Sequence, residues 1–122
     1  MATDVILGPQ SIPASMDLRN YQYRFMKIDA NGQLALPALG GIVDYVLQDK
    51  PVAQLQPGQV CAPGSITKVL FVSGITAGSL VSTDATGQGI AFVSGYEILG
   101  RALDTVTGLG IGRVHFMPLG RL

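Results

Sequence analysis

The chain has 122 residues, 48% of them hydrophobic and 13% charged, and its eight basic and eight acidic side chains cancel. This is one domain's worth of length, enough to bury a core without disulfides or metals, and the single cysteine, Cys61, allows no intrachain disulfide. The charged fraction is about half the ~25% usual in globular domains. The basic residues are scattered and no apolar run reaches ~18 residues, so neither a phosphate-binding stripe nor a membrane-spanning helix is expected.

Residues 1–20 carry Gly8, Pro9 and Pro13 among small polar residues, with apolar points at Val5, Ile6, Leu7 and Ile12. Proline favours extended backbone and removes a donor, so this stretch reads as an extended N-terminal arm. Its first ten residues include Asp4 and no basic residue, unlike a secretory signal. Residues 21–122 read as one β domain. Sixteen glycines and seven prolines interrupt short runs of Val, Ile, Leu, Phe and Tyr, and no 3.6-residue apolar period survives three turns.

The first expected strand is 21–28, with Tyr21, Tyr23, Phe25 and Lys27 on one face. Asn31-Gly32 then predicts a type I′ hairpin turn, because both residues tolerate positive φ. Further strands are expected at 33–36, 42–48, 59–62, 66–73, 80–83, 89–93, 97–102 and 112–117. The fold class is therefore all-β: a compact small β-barrel or β-sandwich of short antiparallel strands with an extended arm.

An internal echo runs through the chain. Asp29-Ala30-Asn31-Gly32-Gln33 resembles Asp84-Ala85-Thr86-Gly87-Gln88 at an offset of 55 positions. Gly41 and Gly95, and Gly58-Gln59-Val60 and Gly112-Arg113-Val114, repeat at 54. Two related β units explain the echo, and so does recurring turn chemistry that needs Gly, Asn and Asp.

No reaction chemistry is legible. The one histidine, His115, lies on the strand face opposite Val114 and Phe116 and reads as a surface or interface residue. There is no G-x-S-x-G elbow, no set of Cys and His ligands for zinc, and no calcium loop. Gly108 to Gly112 reads G-x-G-x-G and runs into a strand, so it lacks the dinucleotide-binding spacing and context. Catalytic, cofactor and metal sites are all expected to be none, and the chain is expected not to be an enzyme.

Three passages carry a resemblance: ITAGSLV at Ile75–Val81, DATGQ at Asp84–Gln88 and ILGRALD at Ile98–Asp104. Their order resembles the capsid decoration (cement, or head-stabilising) proteins of tailed bacteriophages, across roughly residues 41–117. The resemblance implies a virion structural protein, made in the host cytoplasm. It would sit on the outer capsid surface, bridge major capsid protein subunits and form a homotrimer. On that reading Val5, Ile6, Leu7 and Ile12 of the arm contact the capsid or a neighbour, and Phe116, Leu119 and Leu122 form the subunit interface. The alternative is a small β binding module of a phage tail or head fibre that recognises a glycan or another structural protein. Tyr21, Tyr23, Tyr45 and Tyr96 are its candidate stacking residues.

Overall fold

The computed structural model describes residues 10–121. They form an all-β fold of ten strands: β1 (Gln10–Pro13), β2 (Phe25–Ile28), β3 (Leu34–Ala35), β4 (Tyr45–Leu47), β5 (Pro57–Cys61), β6 (Ile66–Phe71), β7 (Leu80–Thr83), β8 (Gly89–Ala91), β9 (Ile98–Ala102) and β10 (Gly110–Gly120). Burial follows the period of two expected of strands with one buried face. In β6, Thr67, Val69 and Phe71 are buried while Ile66, Lys68 and Leu70 are half-buried.

The strands form two sheets, ordered β1-β5-β4-β2-β3 and β6-β10-β9-β7-β8, and the second closes into a barrel through a parallel β6–β8 contact at Phe71 and Gly89. The two orders are the same list, and the registers agree residue by residue. Adding 55 to Phe25↔Val46 and Met26↔Tyr45 gives the observed Leu80↔Arg101 and Val81↔Gly100. The same offset carries Lys27↔Ala35 and Ile28↔Leu34 onto Ser82↔Ile90 and Thr83↔Gly89. With an offset of 54 on β5, Val46↔Cys61 and Leu47↔Val60 become Arg101↔His115 and Ala102↔Val114. With 57 on β1, Ile12↔Gly58 becomes Val69↔Gly112. Even the closing contact has a counterpart, a single parallel bridge between Ala14 and Leu34. The chain is thus two five-strand units of one topology in tandem.

Shared turns hold the units in the same shape. Asp29 Oδ1 accepts the Asn31 and Gln33 N–H groups, and Asp84 Oδ1 accepts those of Thr86 and Gln88. Only Gly32 and Gly87 have positive φ there (74° and 81°), so each hairpin is a turn followed by a left-handed glycine. The type I′ turn expected at Asn31-Gly32 does not form, because the Asp29 carboxylate caps the N–H groups of a turn in which Asn31 keeps negative φ.

Each unit has its own interior. Ala14, Leu18, Met26, Leu34, Leu47 and Val60 fill the first. At the corresponding positions of the second stand Phe71, Ile75, Val81, Gly89, Ala102 and Val114. The closing pair is small–large in one unit and large–small in the other: Ala14 faces Leu34, and Phe71 faces Gly89. A Cβ on Gly89 would lie 2.6 Å from Phe71 Cε1, so the ring occupies the space a side chain there would need.

The units share one core cluster in which Phe25, Val43, Val46 and Cys61 of the first pack with Val69, Leu99 and Phe116 of the second. The junction is also hydrogen-bonded. Leu70 N–H donates to the Tyr23 carbonyl (2.9 Å) and Phe25 N–H donates to the Gly87 carbonyl (2.8 Å). Tyr23 to Phe25 is therefore a wedge in the seam between β6 and the β7–β8 turn. Tyr23 has a φ of 63°, unusual for a bulky residue, and its counterpart in the second unit is Gly78 at 90°. This kink starts β2 at Phe25 and ends the longer strand expected from Tyr21.

The expected arm is also revised for residues 10–20. β1 pairs with β5 along its whole length, and Ala14 and Leu18 are fully buried in the first interior. Proline is tolerated in β1 because β1 is the edge strand of its sheet, where one side of the backbone has no ladder partner. The remaining part of the expected arm, residues 1–9, lies outside the described residues.

Candidate functional site

The expected contact residues fall in different environments. Ile12 is half-buried in β1 and packs on the first interior, so it is a framework residue and not a free anchor. Phe116 has no exposed surface and its ring lies 5.9 Å from that of Phe25, so it belongs to the joint core and offers nothing to a neighbouring subunit. In β10, Val114 and Phe116 point inward, while His115, Met117 and Leu119 point outward. Leu119 is 64% exposed and does lie on an outer face. Val5, Ile6, Leu7 and Leu122 lie outside the described residues.

Leu119 is part of a groove on the second unit lined by Leu80, Gly100, Arg101, His115 and Met117. Its floor comes from adjacent strands: Leu80 of β7 pairs with Arg101 of β9, and Arg101 pairs with His115 of β10. A register shift between Phe116 and Gly120 bends the end of β10 and displaces Met117 and Leu119 from the regular ladder. Beyond it, Arg121 bonds the Gly95 carbonyl (2.7 Å) and pairs with Glu97 (2.6 Å), which ties the bent end to the turn before β9. Gly100 has to be glycine: its φ is 155°, and a Cβ there would strike the His115 carbonyl oxygen.

The groove combines Arg101 and His115 with the apolar side chains of Leu80, Met117 and Leu119. Arg101 Nη1 donates to the Gly78 carbonyl at 3.2 Å, which draws its guanidinium to the rim. No acid lines the groove, and among the described residues no three His, Cys, Asp or Glu side chains are grouped to hold a metal. Such a surface can bury apolar area and donate hydrogen bonds at its edge. From sequence, only Leu119 and the outward parity of His115 pointed here. The pairing that brings Leu80 and Arg101 beside them depends on strand order, which residue patterns do not encode.

Two further depressions flank the fold. One is rich in hydroxyls, lined by Thr76, Ser79, Thr105 and Thr107 with Ile75 and Val106. The other, at the junction, is lined by Lys27, Ile28, Ile42, Asp44 and Arg121. Of the tyrosines considered for glycan stacking, Tyr21 lies under the Arg24 guanidinium (4.7 Å) and Tyr23 lies below Lys68 Nζ (5.8 Å). The Tyr96 ring sits where a Cβ on Gly40 would fall, and Tyr45 OH bonds Gln10. All four are engaged within the chain.

No protein-family model matches the chain, and no curated protein sequence matches it. Its fold is similar to the crystal structure of the head fibre gp8.5 N base of bacteriophage phi29. The TM-score is 0.73, over 98% of each chain, at 17% sequence identity.

Proposed function

We propose that this chain is a structural protein of a phage virion that attaches to the head, bridges major capsid protein subunits on the outer surface and carries no enzymatic activity. The supporting observation is the near end-to-end likeness to a head fibre base, since both chains are covered almost completely. The passages that resemble capsid decoration proteins point to the same place on a virion. A body of short strands, low charge and two β units locked by a common core suits a part that must hold a fixed shape on a repeating lattice. Several copies bound together, as a homotrimer, would add weak contacts through multivalency.

The fibre likeness favours a second reading, in which the chain is the base on which a fibre stands and recognises another structural protein without reinforcing the shell. Co-sedimentation with expanded, undecorated heads, against unexpanded heads, tests both. Saturable binding with raised heat resistance of the heads supports the bridging reading. Saturable binding with unchanged heat resistance supports the fibre-base reading. Absence of binding to cognate heads refutes attachment. Any truncation used to test the N-terminal segment in this assay must stop at residue 9, because β1 begins at Gln10.

A further inference from the structure

We propose that the hydroxyl-lined depression of the second unit is a binding site for a tyrosine side chain presented by a protein of the phage head. The inference rests on the head-attachment reading and names one contact for it.

The first unit shows what this place takes. Backbone bonds fix the correspondence. Leu18 N–H donates to the Pro51 carbonyl as Ile75 N–H donates to that of Val106, and Tyr23 N–H donates to the Leu47 carbonyl as Gly78 N–H donates to that of Ala102. Between these points the first unit has four residues, 19–22, and the second has two, Thr76 and Ala77. One of the four is Tyr21. Its N–H donates to the Leu18 carbonyl, its side chain packs on the first interior, and the Arg24 guanidinium covers its ring at 4.7 Å. The shorter loop of the second unit supplies no ring. Leu36, which also packs on the first interior, has the exposed Ala91 as its counterpart. A depression of about 380 Å³ is left against Ile75, Ser79, Ala91 and Val106, the counterparts of Leu18, Arg24, Leu36 and Pro51. That volume falls within the ~300–1,000 Å³ of small-ligand sites.

The walls select the occupant. No charged side chain lines the depression, so a neutral group suits it. Ile75, Ala91 and Val106 offer apolar surface, and Thr76, Ser79 and Thr107 contribute hydroxyls that donate or accept. A tyrosine matches both parts, with a flat apolar body and an O–H that needs a partner when buried. No aromatic side chain lines the depression, so a sugar ring would find no stacking surface. The site is also preformed. Ile75 and Val106 exchange two backbone bonds (2.8 and 2.9 Å), and Thr105 Oγ1 accepts the Ala77 N–H (3.0 Å), which clamps the short loop. A rigid ring entering a rigid site loses little conformational entropy.

Titration of the full chain with N-acetyl-L-tyrosinamide up to about 20 mM, followed by amide NMR, tests the site. Saturable shifts at residues 74–79, 91 and 105–107 are expected, with a Kd on the order of 1 mM for one small ring. Ala91→Leu installs the residue the first unit carries at that position and should weaken binding at least about tenfold, with an unchanged far-UV circular dichroism spectrum. Exchange of Thr76-Ala77 for the sequence of residues 19–22 supplies an internal ring and should do the same. Leu119→Arg lies outside the depression and should leave the titration as it was. Absence of saturable shifts, shifts confined to other residues, or tighter binding of methyl glycosides at these residues overturns the proposal. In co-sedimentation with expanded heads, Ala91→Leu should lower affinity at least about tenfold, and head binding unchanged by both variants overturns the tyrosine contact. The two readings fail separately: heads bound without the titration sinks this inference and leaves attachment standing, whereas a titration without head binding refutes attachment and with it this partner.

Discussion

Phe71 and Gly89 close the second unit's barrel as a large–small pair, and Ala14 and Leu34 meet at the corresponding bridge of the first unit as a small–large pair. If the units share one framework, the second unit should accept the first unit's solution. Phe71→Ala alone empties a fully buried ring site and should cost about 3–5 kcal/mol. Gly89→Leu alone drives a side chain into that ring, since its Cβ already falls 2.6 Å from Phe71 Cε1, and should cost about 1–3 kcal/mol or more. Gly89 does not have positive φ, so backbone strain adds nothing to that cost. Together the two place Leu in the space the ring vacated, as Leu34 sits beside Ala14. Val69 Cγ1, 3.1 Å from the added Cβ, has to shift slightly; the first unit carries the larger Ile12 at that position. The double variant should cost about 1–3 kcal/mol, against about 4–8 if the effects summed, a coupling of roughly 3 kcal/mol or more. Urea unfolding with a constant m-value measures all four proteins of the cycle. Additivity within about 0.5 kcal/mol would refute the shared-framework argument.

Asp84→Ala removes the acceptor for the Thr86 and Gln88 N–H groups and should cost about 1–2 kcal/mol in urea unfolding, with Asp84→Asn recovering most of it. Asp104 is held below the ordinary carboxylate value of 3.8, first by the Arg113 side chain and then by the Arg113 backbone N–H. Its contribution is therefore complete above that value and is lost as pH falls through the lowered folded one. Asp104→Asn should flatten the fall in urea midpoint as the pH drops below about 4. Burial pushes the Cys61 thiol above its usual value. An aromatic disulfide reagent at pH 8 should label it at the rate of unfolding, and immediate labelling of the native chain would contradict its burial.

Much of the fold was legible because local chemistry and global pairing agree. β7 begins and ends where the sequence pattern places it, at Leu80 and Thr83. The two D-x-x-G turns were readable because each aspartate bonds its own neighbours, a contact that spans only a few residues. β1 was not legible: Pro9 and Pro13 suggest an unpaired arm, and only the position of β1 at the edge of its sheet reconciles Pro13 with a strand. Tyr23 misled in the opposite direction, since its strand propensity is overridden by a left-handed kink that carries the wedge. The groove was nearly invisible. Its residues come from three strands brought together by a 1-5-4-2-3 order that no period of two can reveal.

The wedge also bears on how the chain is made. The first unit closes its interior with its own side chains, whereas the seam of the second is completed by Tyr23 to Phe25. A ribosome delivers the first unit before any of the second exists, and domains fold N-terminal first during synthesis. The earlier unit therefore emerges as a template, and the later one condenses on it. Circular permutation that placed residues 66–121 ahead of 10–62 would keep the strand pairings of both units but reverse that schedule. The permuted chain should reach the same fold through a longer-lived intermediate whose seam stays open until the last strands arrive.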